Sequence, residues 1–430
     1  MRARLLALAA IALASGCLHA SHVREGDGTD VETAGAGTSL ERFGRLERTL
    51  AAHVERGEIA GVASLVARHG EVVHFAATGQ RDRERGAPLT RDTIYRIYSM
   101  TKPITSVAVM MLVERGQLLL GDPISKHIPE LAGMPVLRTP DSPLSDVVAA
   151  PREMTIRDLL THTSGLASAS PGFTPKAIEQ AYLEADLRGS QTKLPPAQWI
   201  ARLARIPLAH PPGSKFLYGV STDVLGHLVA VVSGQPFEEF LRQEIFEPLG
   251  MPDTAFFVPA EKLDRFAANY GPGPNGDLTV VDAPGTSRYR EPPAFPSGAG
   301  GLVSTIDDYL RFCEMLRRGG ELDGVRLLSR KSIELMTTNH LTASERDVPM
   351  LTGWFPGQGF GLGFSIVEAL APGGTLGSVG QYGWGGAAGT YFWVDPEEQL
   401  VAILMIQLMP PGGIPIIPEF KNGVYQAITD

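Results

Sequence analysis

The sequence predicts an α+β fold in which both ends of the chain build one antiparallel sheet and the middle forms a mostly helical lobe. Near the start, apolar runs at 61–68 and 71–76 flank the turn signal His69-Gly70. Near the end, apolar runs at 390–394 and 400–406 flank a short polar segment. Because each pair predicts an antiparallel hairpin, we expect the two hairpins to share one sheet that is flanked by helices.

This pattern also predicts the domain organisation. Residues 39–95 and 300–430 are expected to form an α/β sheet subdomain, and residues 96–299 a mostly helical subdomain. The chain has 430 residues, of which 43% are hydrophobic and 20% charged, which is a globular composition with enough length for a large core.

The composition argues against nucleic-acid binding and against a metal site. The formal net charge is −9 and no block of Lys or Arg occurs, so we expect no nucleic-acid partner. The ten histidines are scattered without the spacing of metal ligands, so we expect no metal site. No cofactor is expected either.

Residues 1–38 have the features of a signal peptide followed by a flexible tether. Two arginines precede the apolar run Leu5–Ala14, which is too short to span a bilayer. The run Ala14–Cys17 resembles a bacterial lipobox, although the usual leucine three residues before Cys17 is missing. Cleavage after Ala20 is the alternative. We therefore expect an exported protein that is either periplasmic or anchored to the membrane through a lipidated Cys17.

Helices are predicted on both sides of the first hairpin and through the middle of the chain. Leu40–Val54 has the periodicity of an amphipathic helix. Residues 223–232 and 237–246 are predicted helices, and Ser221 or Thr222 is the candidate cap of the first of them.

Cys313 lies in a further predicted helix, after the cap candidates Ser304 and Thr305. The chain has two cysteines and the other is in the leader, so no disulfide is expected. We interpret Cys313 as a small buried core residue.

The most informative motif is Ser99–Lys102, which reads Ser-Met-Thr-Lys and spaces a hydroxyl and an amine one helical turn apart. Pro103 is tolerated in the first turn of a helix, so a helix that begins at Met100 would place Ser99 at its N-terminus. The same spacing recurs at Ser190–Lys193, but that run lies between a glycine and two prolines and is predicted to be a loop. Helical context therefore favours Ser99.

Serine attacks a carbonyl carbon only when a base accepts its proton, so the chemistry of Ser99 depends on a partner. No serine in this chain has the Gly-x-Ser-x-Gly pattern, which disfavours a Ser-His-Asp hydrolase. A lysine must be neutral to accept a proton, and burial is the main influence that lowers the pKa of an amine. We therefore expect Lys102 to be buried and closely partnered.

Three further motifs accompany Ser99–Lys102. Residues 155–166 read Thr-Ile-Arg-Asp-Leu-Leu-Thr-His-Thr-Ser-Gly-Leu, 212–220 read Pro-Gly-Ser-Lys-Phe-Leu-Tyr-Gly-Val, and 383–389 read Gly-Trp-Gly-Gly-Ala-Ala-Gly. Together they resemble the serine β-lactamase and penicillin-binding-protein superfamily, in particular the class C β-lactamase-like carboxylesterases (family VIII esterases). The resemblance runs from about Leu40 to Gln426 and implies a β-lactamase-like fold.

The resemblance also implies roles for individual residues. Ser99 would be the nucleophile that forms an acyl-enzyme, and Lys102 and Tyr218 would share one proton as a coupled base. The backbone N–H groups of Ser99 and Ala387 would form the oxyanion hole. His162 lies in a segment that the family uses as scaffold, so we expect it to have a structural role.

Two departures from the superfamily pattern bear on the substrate. Val220 stands where lactamases have an asparagine, and Trp384–Gly386 stands where they have a strand with a cation. Trp384 would give the substrate site an apolar wall with one N–H donor, while Gly385 and Gly386 would let substrate lie against the backbone. We therefore expect a carboxylesterase for small neutral esters. The alternatives are a β-lactamase or D-Ala-D-Ala carboxypeptidase on the same fold, and a non-catalytic envelope binding protein.

Overall fold

The structure is a computed structural model that describes residues 35–169, 174–350, 356–372, 374–411 and 413–430. The predicted signal peptide and the predicted lipid-attachment residue Cys17 lie outside these residues. Within the described ranges, no helix combines the length and the apolar character that a bilayer span requires.

The strands are short except at the N-terminal hairpin. They are β1 (Gly61–Arg68), β2 (Glu71–Asp82), β3 (Ala87–Pro88), β4 (Tyr95–Arg96), β5 (Val136–Leu137), β6 (Val147–Val148), β7 (Asn269–Pro272), β8 (Leu278–Asp282), β9 (Val303–Ser304), β10 (Glu321–Leu322), β11 (Val325–Arg326), β12 (Gln358–Phe360), β13 (Ser365–Val367), β14 (Tyr382–Gly385), β15 (Tyr391–Asp395) and β16 (Leu400–Met405).

In the described chain the main sheet has eight strands, in the order β12-β13-β14-β15-β16-β1-β2-β3, and all neighbouring pairs are antiparallel. At its centre β1 pairs with β16, so that Ala63 lies opposite Met405. His69 and Gly70 join β1 to β2 with φ of 54° and 86°, which suits a two-residue hairpin turn. The prediction of one antiparallel sheet built from both chain ends is confirmed.

The α-helices lie on the two faces of this sheet and in the middle of the chain. They are α1 (Leu40–Glu55), α2 (Thr101–Glu114), α3 (Ile156–Leu160), α4 (Lys176–Glu184), α5 (Pro196–Leu203), α6 (Ser221–Ser233), α7 (Phe237–Leu241), α8 (Glu247–Leu249), α9 (Ile306–Arg317), α10 (Arg330–Met336), α11 (Ala343–Arg346) and α12 (Ile416–Tyr425).

Alternate residues of the central strands supply two hydrophobic cores, one on each face of the sheet. α1 and α12 pack on one face, where Phe43 and Phe420 join a cluster with Trp393 of β15. α9 packs on the other face, and its Cys313 is fully buried there, as predicted. That second core continues into the helical part of the chain, where α2 packs on α6. The α+β fold class is therefore confirmed.

The predicted divisions between the subdomains, at 95/96 and 299/300, lie near the short pair formed by β4 and β9. In this pair Tyr95 lies opposite Ser304 and Arg96 opposite Val303. The assignment of 39–95 with 300–430, and of 96–299, to separate subdomains stays a prediction.

One predicted helix start is wrong. α6 begins at Ser221, so Ser221 and Thr222 lie in its first turn and Val220 is the N-cap residue, without a capping hydrogen bond from its side chain. The hydroxyl of Ser221 is buried and lies 2.9 Å from the hydroxyl of Ser164, so this hydroxyl ties α6 to the loop after α3.

Two other helices of the middle and C-terminal parts follow the prediction more closely. The helix expected at 237–246 consists of α7, which ends at Leu241, and a following π-helical turn that leads into α8. Gly250 ends α8 with φ of 66°. α9 begins after Thr305, whose side chain accepts a hydrogen bond from the N–H of Asp308, so that predicted cap is confirmed.

Candidate active site

Ser99 lies immediately before α2, close to the predicted position. A 3₁₀ turn, Tyr98–Met100, leads into the helix, which begins at Thr101 rather than at Met100. Pro103 falls in the first helical turn, where backbone N–H groups have no intrahelical acceptor to lose. Ser99 is half-buried and lines a cleft.

The residue before Ser99 has an unusual backbone conformation. Tyr98 has φ of 42°, a left-handed value that is rare for a large side chain. Its buried hydroxyl accepts a hydrogen bond of 3.1 Å from Nδ2 of Asn269. Strain of this kind costs about 1–3 kcal/mol and concentrates at functional sites. The anchored ring of Tyr98 therefore holds the turn that presents Ser99.

Lys102 is buried, with 4% of its surface exposed, and is closely partnered, as predicted. Its Nζ lies 3.1 Å from Oγ of Ser99 and donates a hydrogen bond of 2.7 Å to the carbonyl oxygen of Ala299. The same Nζ lies over the face of the Tyr218 ring, 4.5 Å from the ring centroid. The structure thus brings Ser99, Lys102 and Tyr218 together.

Tyr218 is held from two sides. Nε1 of Trp384, on β14, donates a hydrogen bond of 3.2 Å to the Tyr218 hydroxyl. The ring of His162 packs 4.8 Å from the Tyr218 ring, between centroids. Burial and the charge of Lys102 hold the pKa of His162 well below its usual range, so this ring is neutral. Trp384 is 5% exposed, and its N–H points at Tyr218.

The glycines after Trp384 let a hairpin close on the turn that carries Ser99. Gly385 is half-buried at the end of β14. A Cβ at Gly386 would lie 2.5 Å from the carbonyl oxygen of Ile97, so any side chain there would push the hairpin away. Ala387 follows in an exposed turn between β14 and β15. The close approach that Gly386 allows is thus to the protein backbone, and it brings the predicted oxyanion residues Ser99 and Ala387 to neighbouring turns.

A cleft of about 310 Å³ opens above Ser99. Val220 lines it with an apolar side chain, and Ser190 lines it as well. The Ser190–Lys193 run, predicted to be a loop, begins within a short 3₁₀ turn, Gly189–Gln191. The lining residues are Ser99, Lys102, Ser168, Ala169, Leu183, Leu187, Arg188, Gly189, Ser190, Gln191, Tyr218, Gly219, Val220, Asp223, Ser297, Ala299 and Gly300.

Asp223 is a buried carboxylate of this cleft that is not among the predicted site residues. Its Oδ1 accepts hydrogen bonds of 2.5 Å from the Ser297 hydroxyl and 3.1 Å from the N–H of Ala299. The carbonyl oxygen of Ala299 accepts the hydrogen bond from Nζ of Lys102. Asp223 therefore holds the loop of Ser297 and Ala299, whose carbonyl oxygen at Ala299 in turn binds Lys102.

Burial raises the pKa of Asp223, while the hydrogen bond from Ser297 and the charge of Lys102 oppose that shift. The feature of the sequence that could have pointed to Asp223 is an acidic residue in the first turn of an apolar helix, five positions after Tyr218. That signal also fits an ordinary helix N-terminus, so it does not identify Asp223 as a site residue.

The described residues contain no group of three or more His, Cys, Asp or Glu side chains arranged to hold a metal ion. The side chains gathered at the site are a serine hydroxyl, a buried amine, a phenol and the buried acidic group of Asp223, with backbone N–H groups nearby. These groups and the surrounding sheet define a serine hydrolase with the β-lactamase fold.

The chain belongs to the beta-lactamase family, whose model matches residues 46–416. It is 38% identical over 367 residues to Protein Rv1367c of Mycobacterium tuberculosis, covering 83% of this chain and 88% of that protein. It is 32% identical over 405 residues to esterase EstB of Burkholderia gladioli, covering 89% and 94%. The solved structure of EstCE1, described as a hydrolase with promiscuous acyltransferase activity, matches with a TM-score of 0.76 and 26% identity, covering 90% and 99%.

Proposed function

We propose that this protein is a serine carboxylesterase that hydrolyses small carboxylic esters through an acyl-enzyme on Ser99. The observation that carries the proposal is the distance of 3.1 Å between Nζ of Lys102 and Oγ of Ser99 inside an open cleft. A nucleophile and a proton acceptor within hydrogen-bond reach of each other are the minimum requirement for covalent acyl transfer.

In the acylation step, Oγ of Ser99 attacks the carbonyl carbon of the ester and its proton passes to the pair formed by Lys102 and Tyr218. The C–O bond to the alcohol then breaks, and the departing oxygen takes that proton. In the deacylation step, the pair accepts a proton from water, the resulting hydroxide attacks the acyl carbon, and Ser99 regains its proton as the acid leaves. The N–H groups of Ser99 and Ala387 would stabilise the charge on the carbonyl oxygen.

The substrate class is supported by the side chains around the cleft. Val220 offers no hydrogen bond to an amide, and the N–H of Trp384 is directed at Tyr218. The groups by which a lactamase holds its substrate are therefore replaced at both positions. The name of the relative EstB also supports an ester substrate.

The test compares three substrates of the purified protein: p-nitrophenyl butanoate, a chromogenic cephalosporin and a D-Ala-D-Ala peptide. Turnover of the ester with the highest kcat/KM supports a carboxylesterase. Preferred turnover of the cephalosporin or the peptide would support the lactamase or carboxypeptidase alternative. Turnover of none of the three would favour a binding protein.

We also propose that the protein is exported and that Cys17 is its lipid-attachment site. The apolar run before Cys17 supports export, and the small residues around it support processing at that position. The mass of the mature N-terminus distinguishes a lipidated Cys17 from cleavage after Ala20.

Asp223→Ala should lower kcat about 10²-fold, because a small displacement of a catalytic group can cost that much. Alanine removes the oxygen that accepts from both the Ser297 hydroxyl and the N–H of Ala299, so the support of Lys102 would be lost. The measurement is kcat on p-nitrophenyl butanoate together with the melting temperature.

Asp308→Ala is the matched control for Asp223→Ala. Asp308 is also a buried carboxylate, and it accepts hydrogen bonds of 2.8 Å from the Thr254 hydroxyl and the N–H of Asp253, outside the cleft. We expect this control to lower the melting temperature while it preserves kcat. Equal losses of kcat in both variants would contradict the positioning role of Asp223.

Trp384→Phe should lower kcat about tenfold, because it removes one hydrogen bond from the Tyr218 hydroxyl and keeps an aromatic ring at this position. Trp393→Phe is the control, since Nε1 of Trp393 donates a comparable bond of 3.1 Å to the Tyr425 hydroxyl in the core beneath α12. We expect the control to retain kcat. A Trp384→Phe enzyme that changes only KM would show that the indole contacts substrate rather than orienting Tyr218.

A further inference from the structure

A second, smaller cavity adjoins the catalytic cleft. Its volume is about 160 Å³, and Ser190 and Gln191 line both it and the cleft. Much of its wall is apolar. The lining residues are Ser190, Gln191, Thr192, Lys193, Phe256, Arg288, Tyr289, Pro293, Ala294, Phe295 and Gly301.

Arg288 places an oriented positive charge in this cavity. Its Nη2 donates hydrogen bonds of 3.1 Å to the Ser190 hydroxyl and 3.2 Å to the Tyr289 hydroxyl, and its Cζ lies 4.9 Å from the centroid of the Tyr289 ring. These contacts hold the planar guanidinium, and its Nε and Nη1 donate no hydrogen bond to the described residues.

The charge of Arg288 is not neutralised by a salt bridge. No carboxylate among the described residues lies within 4.0 Å of its nitrogens, whereas Asp282, the acidic residue whose charge acts on it, is bound at 2.7 Å to Arg96. The surface of the molecule otherwise pairs many arginines with carboxylates, as at Arg265 and Asp253. An arginine that is oriented but unpaired is suited to an anionic ligand.

Arg288 is also connected to the wall of the catalytic cleft. The Ser190 hydroxyl that it contacts belongs to that wall, and the Tyr289 hydroxyl donates a bond of 3.4 Å to the carbonyl oxygen of Gly300, which lines the cleft as well. An anion on the guanidinium would therefore lie next to the wall of the catalytic cleft.

We propose that this cavity, the Arg288 subsite, binds a carboxylate at the far end of the acyl chain, so that the enzyme prefers acidic esters to neutral esters of the same length. The inference rests on the proposed esterase function. At about 30 Å³ for each water-sized group, the cavity has room for about five such groups, enough for a carboxylate and a short methylene segment. Phe256 and Phe295 would contact the methylenes.

This proposal refines the expectation of a neutral substrate. Trp384 occupies the strand position at which lactamases have a cation. Arg288 supplies a cation on another wall of the site. The charged group of the substrate would thus lie on the acyl side chain, remote from the ester bond.

The test uses two p-nitrophenyl esters of matched length, the hydrogen adipate and the heptanoate, with the wild-type protein and three variants. Arg288→Gln should lower the adipate-to-heptanoate ratio of kcat/KM about tenfold, chiefly through KM, since a hydrogen-bonded charge pair is lost. Arg288→Lys should retain part of the preference. Arg290→Gln, whose Nη1 donates to the Gly285 carbonyl oxygen at 2.8 Å, should retain the wild-type ratio.

The outcomes separate the two proposals. A wild-type enzyme that prefers the heptanoate, or an Arg288→Gln enzyme with an unchanged ratio, would overturn the Arg288 subsite and leave the esterase function in place. An equal change of the ratio in Arg290→Gln would overturn it too, because the effect would then be one of net charge. Turnover of neither ester would overturn the esterase function and the subsite with it. Added salt should weaken the wild-type preference for the adipate.

Discussion

Ser99→Ala should lower kcat on p-nitrophenyl butanoate about 10⁶-fold, by analogy with a serine protease that lost its nucleophile. The expected loss is large because Oγ of Ser99 is the hydroxyl that lies 3.1 Å from Nζ of Lys102. Without it, the acyl group has no attachment point and the remaining groups can only polarise the substrate. Steady-state rates and the mass of a trapped acyl-enzyme measure the effect.

Ser190→Ala is the matched control for Ser99→Ala. Ser190 starts a run with the same serine–lysine spacing and lines the same cleft, but it lies on a 3₁₀ turn and its hydroxyl contacts Arg288. Because one hydrogen bond is lost, we expect kcat to stay within about tenfold of wild type. Substantial turnover in Ser99→Ala, or an acyl group that is found on Ser190, would contradict the assignment of the nucleophile.

The parts of the fold that could be predicted from the sequence are those set by local chemistry. The turn at His69-Gly70 needs two positive φ angles, and the apolar runs beside it fit paired strands, so the hairpin follows from about sixteen neighbouring residues. Ser99 and Lys102 are three residues apart at a helix start, and helical geometry alone brings their side chains together. The resemblance to a known family added Tyr218, which lies far from both in the sequence.

The parts that could not be predicted depend on contacts between distant segments. Ala299 is 197 residues from Lys102, and neither residue type nor spacing indicates that its carbonyl oxygen accepts a hydrogen bond from Nζ of Lys102. The role of Asp223 follows from that same contact. Ser221 has the residue type of a helix cap, but its burial against Ser164 decides its hydrogen bond instead. Tertiary packing against Ser164 thus outweighed the local preference of Ser221 for a helix-cap position.

The second large effect concerns the base. Lys102→Ala and Tyr218→Phe should each lower kcat about 10²–10⁴-fold, the usual contribution of general acid–base catalysis. The double variant should lose little more than the stronger single variant, because Nζ of Lys102 lies 4.5 Å from the centroid of the Tyr218 ring and the two groups would handle the same proton. Four kcat values, measured on one ester, give the coupling between the two residues.

Lys102→Arg separates proton acceptance from positive charge. Arginine stays protonated in proteins, so it can replace the charge of Lys102 beside the Ala299 carbonyl oxygen but cannot accept the proton of Ser99. We expect Lys102→Arg to be as inactive as Lys102→Ala. Recovery of kcat in Lys102→Arg would show that the lysine acts as a fixed charge. If the losses in the double variant simply multiply, Lys102 and Tyr218 act in different steps. Tyr218, whose hydroxyl accepts a hydrogen bond from Nε1 of Trp384, would then be a group that orients the substrate.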